Sequence, residues 1–514
     1  MEEVSTTPAS LSGLGLAALM ALALAVRIAA GVGDDGLGGQ DPWAYLDAAR
    51  RISAFWQGVG NAPHGLFWPL GYPAVGAGLA AALGLDMATA LRVAALLLSA
   101  AAAPLTAALV RALLPSATVG AWLAGGIVAV GAAASLAGAA VMADGPMLGW
   151  LALAAWATAA GFRRPALLPL AALALGLAIV TRQAALVALP AWIGCIGWHA
   201  WCGRGERKVP AFVALAALAL ATPLLLQAHF GGERPGALDH AWLRSWRPWH
   251  ALQSTFSTVD GHANYAWPQG VYALFPVLHP GYLAPPGLLA IGFALRHRVA
   301  NGSGRLLLAL WLATAVVLFA GMPYQNFRFG LCALVPAAAL AGLGLEALRQ
   351  RAQGGLGRRL TMAGALVCLA WTAAWTPRMA DRHLRDRAER RRTVSAVAAA
   401  ANAIALREVA AQADAWGEAK RPPTVVAFEL SLDLHYRHGL DVIDLSELDD
   451  AALQGLRDAA ARRPLVLAVD PQDLTTQWVG TAVGEAERRL RAAFDVGPAS
   501  AVGRYRVARL EPRR

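Results

Sequence analysis

The stretch LALAAWATAAGFRRPALLPLAALALGLAIV (residues 151–180) holds two apolar runs, separated by the arginine pair Arg163 and Arg164. An apolar run that is long enough to cross about 30 Å of hydrocarbon is typical of a transmembrane helix. Runs of this kind, some of them short, recur through residues 1–376. The sequence predicts eleven spans, near 11–30, 88–113, 117–140, 146–161, 166–181, 184–202, 209–229, 281–296, 306–321, 329–348 and 360–376.

Charge is scarce over the same part of the chain. The 514 residues are 57% hydrophobic and 15% charged, whereas soluble proteins are about 45–50% apolar and about 25% charged. Residues 1–376 contain 22 Lys/Arg and 13 Asp/Glu, and residues 377–514 contain 22 and 20 of the same two classes. An ordinary soluble globule is therefore excluded for the first part only. We predict a polytopic α-helical membrane domain over 1–376, followed by a small α/β soluble domain over 377–514.

The basic residues predict the orientation, because positively charged loops mark the cytoplasmic side of a membrane. Four clusters lie in alternate short connections: Arg163/Arg164, Arg204/Arg207/Lys208, Arg296/Arg298/Arg305 and Arg349/Arg351/Arg358/Arg359. With these loops in the cytoplasm, the long loops 31–87 and 230–280 and the soluble domain lie outside the cytoplasmic membrane. The apolar segment 70–85 then lies in the outer interface. The net charge of +11 is mostly an orientation signal, so no nucleic-acid partner is predicted.

The last part of the chain has the pattern of an α/β domain. Short apolar runs at 424–429, 440–445 and 464–470 predict buried strands, and the alternating run at 503–510 predicts a final strand. The segments expected to be helical are 380–415, 447–461 and 477–492.

Asp41 is the first candidate for chemistry, in GGQDPWAYLDAARRI (38–52). An acidic group that a membrane interface partly desolvates can take a proton from a hydroxyl nucleophile. The alternative is that Asp41 only caps a helix or lies on the surface.

Asp144, in VMADGPMLGW (141–150), is the second acidic candidate. A carboxylate at a membrane-embedded turn is costly unless it is paired or used in chemistry, and the alternative is again a helix cap. Arg182 and Arg328 lie at the predicted outer ends of two spans. Guanidinium groups grip phosphate oxygens bidentately, whereas the alternative is ordinary contact with lipid headgroups. Four such residues on one face predict a site for an anionic substrate.

Three further residues are predicted to contact substrate: His64, Tyr72 and Arg247. His64 and Tyr72 flank or lie in the aromatic stretch FWPLGYP (67–73), and Arg247 lies in WLRSWRPWH (242–250). The second loop is either a lid that binds sugars or headgroups, or an aromatic belt at the membrane interface. Four cysteines lie in apolar segments without the spacing of metal ligands. No metal ligands are assigned.

Taken in order, these segments resemble the GT-C superfamily of lipid-carrier-dependent glycosyltransferases, within it the branch of protein mannosyltransferases and aminoarabinose transferases. The resemblance covers about residues 11–376. It rests on GQDPWAYLDAAR (39–50), FWPLGYP (67–73), LGLDMATALRVAALLLSA (83–100), MADGPMLGWLALAAWA (142–157), IVTRQAALVALP (179–190) and NFRFGLCALVPAAALAGLG (326–344). The family's first loop often has two acidic residues close together. Here Asp41 is followed by Pro42, and Asp34 and Asp35 form a rival pair.

The resemblance implies transfer of a sugar from a polyprenyl-phosphate carrier to a glycan, lipid or protein acceptor at the outer face, with inversion. It implies that Asp41 acts as general base, that Asp144 positions the acceptor or holds a divalent cation, and that Arg182 and Arg328 neutralise the departing phosphate. Some relatives use a metal and others do not, so a divalent cofactor stays open. The alternatives are a polytopic transporter or flippase of lipid-linked sugars, and a non-catalytic assembly or receptor protein.

Overall fold

A computed structural model describes residues 13–63, 68–202, 208–231, 241–258, 261–297, 302–352, 354–411 and 422–513. The chain forms two compact units. The first comprises Met1–Gly36, Ala44–Gln253 and Trp267–His383, and the second comprises Leu37–Trp43, Ser254–Ala266 and Leu384–Arg514. The sequence suggested one boundary at residue 376. In the structure this boundary follows His383, within a helix, and two segments of the long loops are grouped with the C-terminal sheet.

The first unit is helical. Its helices, two of which continue into the second unit, are α1 Gly13–Ala30, α2 Gln40–Trp56, α3 Gly71–Leu83, α4 Met87–Leu113, α5 Thr118–Val130, α6 Ala132–Ala139, α7 Asp144–Gly161, α8 Leu168–Thr181, α9 Leu189–Cys202, α10 Lys208–Gly231, α11 Ala241–Arg244, α12 Gln269–Ala273, α13 Phe275–Leu278, α14 Pro285–Arg296, α15 Gly302–Gly321, α16 Leu331–Arg351 and α17 Gly354–Ala411. Short 3-10 helices cover Pro165–Leu167, Gln183–Ala188, Pro248–Leu252 and Phe327–Gly330.

Seven helical stretches in the described residues are long and apolar enough to cross a membrane, and the bent pair α5–α6 makes eight if it forms one span. The polytopic fold class is confirmed, but the count of eleven is not. One reason is α14, which is 12 residues long and covers only about 18 Å at about 1.5 Å per residue. Another is α7, which has 18 residues but is not among these seven stretches.

Small residues allow close contacts between the helices. A Cβ added at Gly342 of α16 would collide with the carbonyl oxygen of Gly120 in α5, and one at Gly344 would collide with that of Ala290 in α14. Helices in lipid associate through such contacts, because lipid tails are as apolar as the side chains and give no hydrophobic drive.

The bend of 48° between α5 and α6 leaves carbonyl groups at the end of α5 that need donors from elsewhere. Arg27 of α1 is fully buried, and its guanidinium donates to the carbonyls of Ala129 at 3.1 Å and Val128 at 3.2 Å. Thr376 of α17 donates its hydroxyl to the carbonyl of Val130 at 2.5 Å. Side chains from α1 and α17 therefore satisfy the backbone carbonyl groups at this bend.

The second unit contains a five-stranded sheet of order β4-β3-β5-β7-β6. Its strands are β3 Thr424–Ala427, β4 Asp441–Asp444, β5 Leu465–Val469, β6 Phe494–Val502 and β7 Tyr505–Pro512. Its helices are α18 Ser431–His438, α19 Asp450–Ala460, α20 Pro471–Thr475 and α21 Ala482–Ala493. Strand β3 pairs in parallel with β4 and β5, and β7 runs antiparallel to β5 and β6. The α/β prediction is confirmed, although it lacked β6. A hairpin of β1 Thr255–Thr258 and β2 Gly261–Asn264 belongs to the same unit.

Candidate active site

Asp144 is a fully buried carboxylate of the first unit. It lies in the first turn of α7 with none of its surface exposed. The free N–H groups of a helix N-terminus favour a negative charge at this position. Burial of an unpaired carboxylate would still be energetically very unfavourable. The groups that surround Asp144 therefore indicate its role.

Two predicted arginines supply those partners. Arg182 places Nε 2.9 Å from Asp144 Oδ1, and Arg328 places Nη1 3.5 Å from Asp144 Oδ2. Arg182 follows the last residue of α8 in extended backbone conformation. Arg328 lies in the 3-10 helix before α16, where Asn326 Oδ1 accepts hydrogen bonds from its backbone N at 3.1 Å and its Nε at 3.2 Å. Interruptions between helices thus bring both arginines to the start of α7.

The cluster of Asp144, Arg182 and Arg328 carries one negative and two positive charges, so its formal net charge is +1. Both carboxylate oxygens face a guanidinium group, which leaves Asp144 suited to orienting the arginines. The side chain of Arg182 is 9% exposed and that of Arg328 is 32% exposed. A positive group that is preorganised and partly open in this way can receive a phosphate.

Aromatic residues line one side of the cluster. The guanidinium of Arg182 lies 5.9 Å from the ring centroid of Trp68, a cation–π geometry. Tyr45 lies 6.0 Å from Trp68 and makes an edge contact with Tyr72 at 5.1 Å. Tyr72 is fully buried and donates its hydroxyl to the carbonyl of Leu91 at 3.0 Å. In this structure Tyr72 therefore packs against Tyr45, which in turn contacts Trp68.

Asp41 and Arg247 are two further predicted residues in the described part of the chain. Asp41 is half-buried in the first turn of α2 and belongs to the second compact unit. Arg247 is exposed, and its guanidinium donates to the backbone carbonyls of Trp246 at 2.8 Å and Arg244 at 3.2 Å. His64 lies outside the described residues. Among the described candidates, ion pairs join Asp144 to Arg182 and to Arg328.

Trp68 and Asn326 were not singled out in the sequence. Asn is a residue type that commonly caps a helix. Asn326 could therefore have been recognised in the sequence as a cap of the short helix that contains Arg328. Trp68 stands 114 positions before Arg182, and no pattern in the sequence relates the two.

The cluster does not fit a divalent cation, because its single carboxylate is already paired with two guanidinium groups. Within the described part of the chain, no group of three or more His, Cys, Asp or Glu residues could hold a metal ion. No step is therefore assigned to a metal.

A second group of charges lies in the second unit, after the carboxyl ends of β3 and β5. Arg504 places Nη2 2.9 Å from Glu429, Nε 3.3 Å from Asp470 and Nη1 3.2 Å from Asp473. Glu429 has a φ of 64°, a conformation that costs L-residues roughly 1–2 kcal/mol. Burial raises the pKa of the Glu429 carboxyl above its ordinary value, although the charge of Arg504 opposes the shift.

No family model and no curated protein matches the sequence, but solved structures match the fold. ArnT from Cupriavidus metallidurans, solved with undecaprenyl phosphate, has a TM-score of 0.60 at 13% identity, over 97% of this chain and 98% of that one. Oligosaccharyltransferase AglB from Archaeoglobus fulgidus, solved with an inhibitory peptide and a dolichol-phosphate, has a TM-score of 0.57 at 12% identity, over 97% and 74%. Arabinofuranosyltransferase AftD from Mycobacteria has a TM-score of 0.51 at 14% identity, over 98% and 40%.

These likenesses extend over nearly the whole of this chain, the helical first unit and the C-terminal sheet included. They agree with the resemblance found in the sequence, and they identify a multi-pass membrane architecture. The chain shares the fold of these solved structures.

Proposed function

We propose that the protein is a membrane glycosyltransferase that moves a sugar from a polyprenyl-phosphate carrier to an acceptor at the outer face of the cytoplasmic membrane. The observation that carries the proposal is the Asp144–Arg182–Arg328 cluster, a net positive group set into a fold shared with enzymes of this kind. A guanidinium pair suits a phosphate monoester or diester far better than it suits a neutral sugar.

The proposed reaction is an in-line displacement. The acceptor oxygen forms a bond to the anomeric carbon while the bond from that carbon to the phosphate oxygen breaks, which inverts the configuration. The electron pair leaves with the polyprenyl phosphate, so negative charge on the phosphate increases toward the transition state. Arg182 and Arg328 lower the barrier because their interaction with the phosphate strengthens as that charge develops. Trp68 and Asp144 hold Arg182 in place.

Asp41 is the proposed general base, which takes the proton from the attacking hydroxyl or amine. Asp144 is proposed as a positioning residue, since both its oxygens already face arginines. His64 and Arg247 stay proposed contacts of the sugar or the acceptor. Tyr72 is proposed to act through Tyr45, which it contacts edge-on.

The fold likeness supports a transferase over a transporter or flippase, because transferases are what the matched structures are named for. The sugar and the acceptor are left to experiment. We propose further that the C-terminal sheet lies outside the cytoplasm, as the distribution of basic loops predicts.

The first experiment tests Asp41. A strain lacking the gene is complemented with wild type, Asp41→Asn or Asp47→Asn, and its envelope glycans are compared by mass spectrometry. Asp47 lies on the same helix and is also half-buried, so its replacement is a matched control. We expect Asp41→Asn to resemble the deletion and Asp47→Asn to resemble wild type. Wild-type glycans from Asp41→Asn at equal expression would remove Asp41 from the mechanism.

The second experiment tests the phosphate site without knowledge of the sugar. Binding of undecaprenyl phosphate to the purified protein is measured for wild type, Arg182→Gln, Arg328→Gln and the exposed control Arg164→Gln. Loss of a charge-assisted contact with phosphate is expected to weaken binding by about tenfold or more. Equal affinity in all four proteins contradicts the assignment.

The third experiment tests the orientation. Cys195, Cys332 and Cys368 are buried, and the fourth cysteine, Cys202, is replaced by Ser. In that background a cysteine placed at the exposed residue Ala461 provides a specific label. Reaction of Ala461→Cys with a membrane-impermeant maleimide in intact cells is expected. Labelling only after lysis would place the sheet in the cytoplasm and reverse the topology.

A further inference from the structure

The carboxylate of Asp433 holds part of the first long loop against the C-terminal sheet domain. Asp433 lies in the first turn of α18 and is 2% exposed. Its Oδ1 accepts a hydrogen bond from Nε1 of Trp43 at 2.8 Å, and its Oδ2 accepts one from the backbone N–H of Gly39 at 3.4 Å. All these residues belong to the second compact unit.

Two arginines complete the arrangement. Arg390 of α17 places Nε 2.8 Å from Asp433 Oδ2, and Arg437 places Nε 3.2 Å from Oδ1. Arg437 also donates to the carbonyl of Leu37, and its guanidinium lies 5.2 Å from the ring centroid of Trp43. The other stacking partner of Trp43 is Tyr436, at 5.1 Å with nearly parallel rings. A single turn of α18 thus contacts the loop segment Leu37–Trp43 at both ends.

The part of this segment that precedes α2, residues 37–39, has little stiffness of its own. It contains Gly38 and Gly39, and Gly39 has a φ of 84°, in the region that glycine adopts freely. Asp41 stands midway between Gly39 and Trp43, the two residues of this segment that donate to Asp433. The contacts therefore restrict the backbone on both sides of the proposed base.

We infer that Asp433 is a positioning residue that fixes the Leu37–Trp43 segment and, through it, the carboxylate of Asp41. The inference rests on the proposed function, because Asp41 is a base only if the chain is a transferase. It also gives the C-terminal domain a role, since that domain supplies the carboxylate and both arginines. A general base must lie within hydrogen-bond reach of its proton, and a displacement of about 1 Å can reduce the rate by about 100-fold.

The experiment compares three variants of the full-length protein. Asp433→Asn removes the charge and keeps the size. Trp43→Phe removes only the indole donor. Asp441→Asn is the control, because Asp441 is also ion-paired in the same sheet, with Arg463 at 2.7 Å, and accepts from Thr424 at 2.8 Å.

Two readouts are measured: amide hydrogen exchange by mass spectrometry, and kcat and KM for sugar transfer. Asp433→Asn is expected to speed exchange in residues 37–43 while strands β3 and β5 stay protected. It is expected to lower kcat by about 100-fold with the donor KM unchanged. Trp43→Phe is expected to give a smaller change of the same kind, about tenfold in kcat, and Asp441→Asn is expected to give none.

Two other outcomes decide against the inference. Unchanged exchange in residues 37–43 shows that Asp433 does not hold the segment. Faster exchange with unchanged kcat shows that the segment is held but that Asp41 does not depend on it. If Asp433→Asn loosens the whole sheet, Trp43→Phe decides, because it leaves both ion pairs intact. If wild type transfers no sugar, the proposed function fails, and the exchange data still test the contact.

Discussion

Replacing Asp144 by Asn is expected to destabilise the helical unit strongly. The change keeps the size of the side chain but leaves two guanidinium groups beside a neutral amide, which raises the formal charge of the cluster from +1 to +2. At an effective dielectric constant of about 20, contacts of 2.9 Å and 3.5 Å correspond to gross attractions of about 6 and about 5 kcal/mol. Desolvation of the three groups offsets most of this. Solvent reduces the Arg328 contribution further, because that side chain is 32% exposed.

The net cost of breaking a buried ion pair from one side is about 3–5 kcal/mol, and we expect Asp144→Asn to fall in this range. The assay is denaturant unfolding of the detergent-solubilised protein, with Arg182→Gln and the double variant completing a thermodynamic cycle. The two changes are expected to couple by roughly 2 kcal/mol, since the second removes a cation that the first left unpaired.

Asp86→Asn is the control, because Asp86 is an exposed N-cap that accepts from Thr89 N at 3.1 Å and Asn caps helices about as well. Two results would refute the reasoning. One is a cost for Asp144→Asn as small as that of the control, and the other is strict additivity in the cycle.

Three more predictions follow from single sites. Arg182→Lys keeps the charge but loses the planar fork, so kcat for transfer is expected to fall at least tenfold, and an unchanged kcat would contradict a bidentate role. Burial holds the pKa of Glu429 above its ordinary 4.5, so its favourable contribution to stability is full below that pH and is lost as pH rises through the folded pKa. For Glu429→Gln, the denaturation midpoint is expected to fall less steeply as pH rises through the folded pKa of Glu429. An unchanged dependence of the midpoint on pH would contradict this prediction. Gly342→Ala is expected to cost about 1–3 kcal/mol, because its Cβ would meet the carbonyl oxygen of Gly120, while Gly292→Ala, which meets nothing within 4 Å, is expected to be tolerated.

Much of the arrangement follows from local sequence. Scarce charge before residue 377 identified the membrane part, and apolar runs located β3, β4 and β5. The grouping of Asp144, Arg182 and Arg328 could be predicted, because all three were assigned to one side of the membrane. A carboxylate that is paired with cations also has a lower free-energy cost in a membrane domain than an unpaired one.

Other features lie outside the reach of pattern. Strand β6 is largely exposed and lacks an apolar run, so nothing in its sequence marks it as a strand. The contact between Trp43 and Asp433 joins residues 390 positions apart, and neither residue carries a motif. Composition also reports apolarity but not helix length or breaks, as for the 12-residue α14 and the bend at the junction of α5 and α6.

That junction has a consequence for biogenesis. Arg27 enters the bilayer with the first helix, before α5 is synthesised, whereas Thr376 arrives 246 residues after the carbonyl that it bonds. An unsatisfied backbone group in hydrocarbon costs several kcal/mol, so the nascent chain carries this defect until α17 is inserted. A chain that ends before α17 therefore lacks the hydroxyl that bonds the Val130 carbonyl, so this helix end depends on a residue made much later.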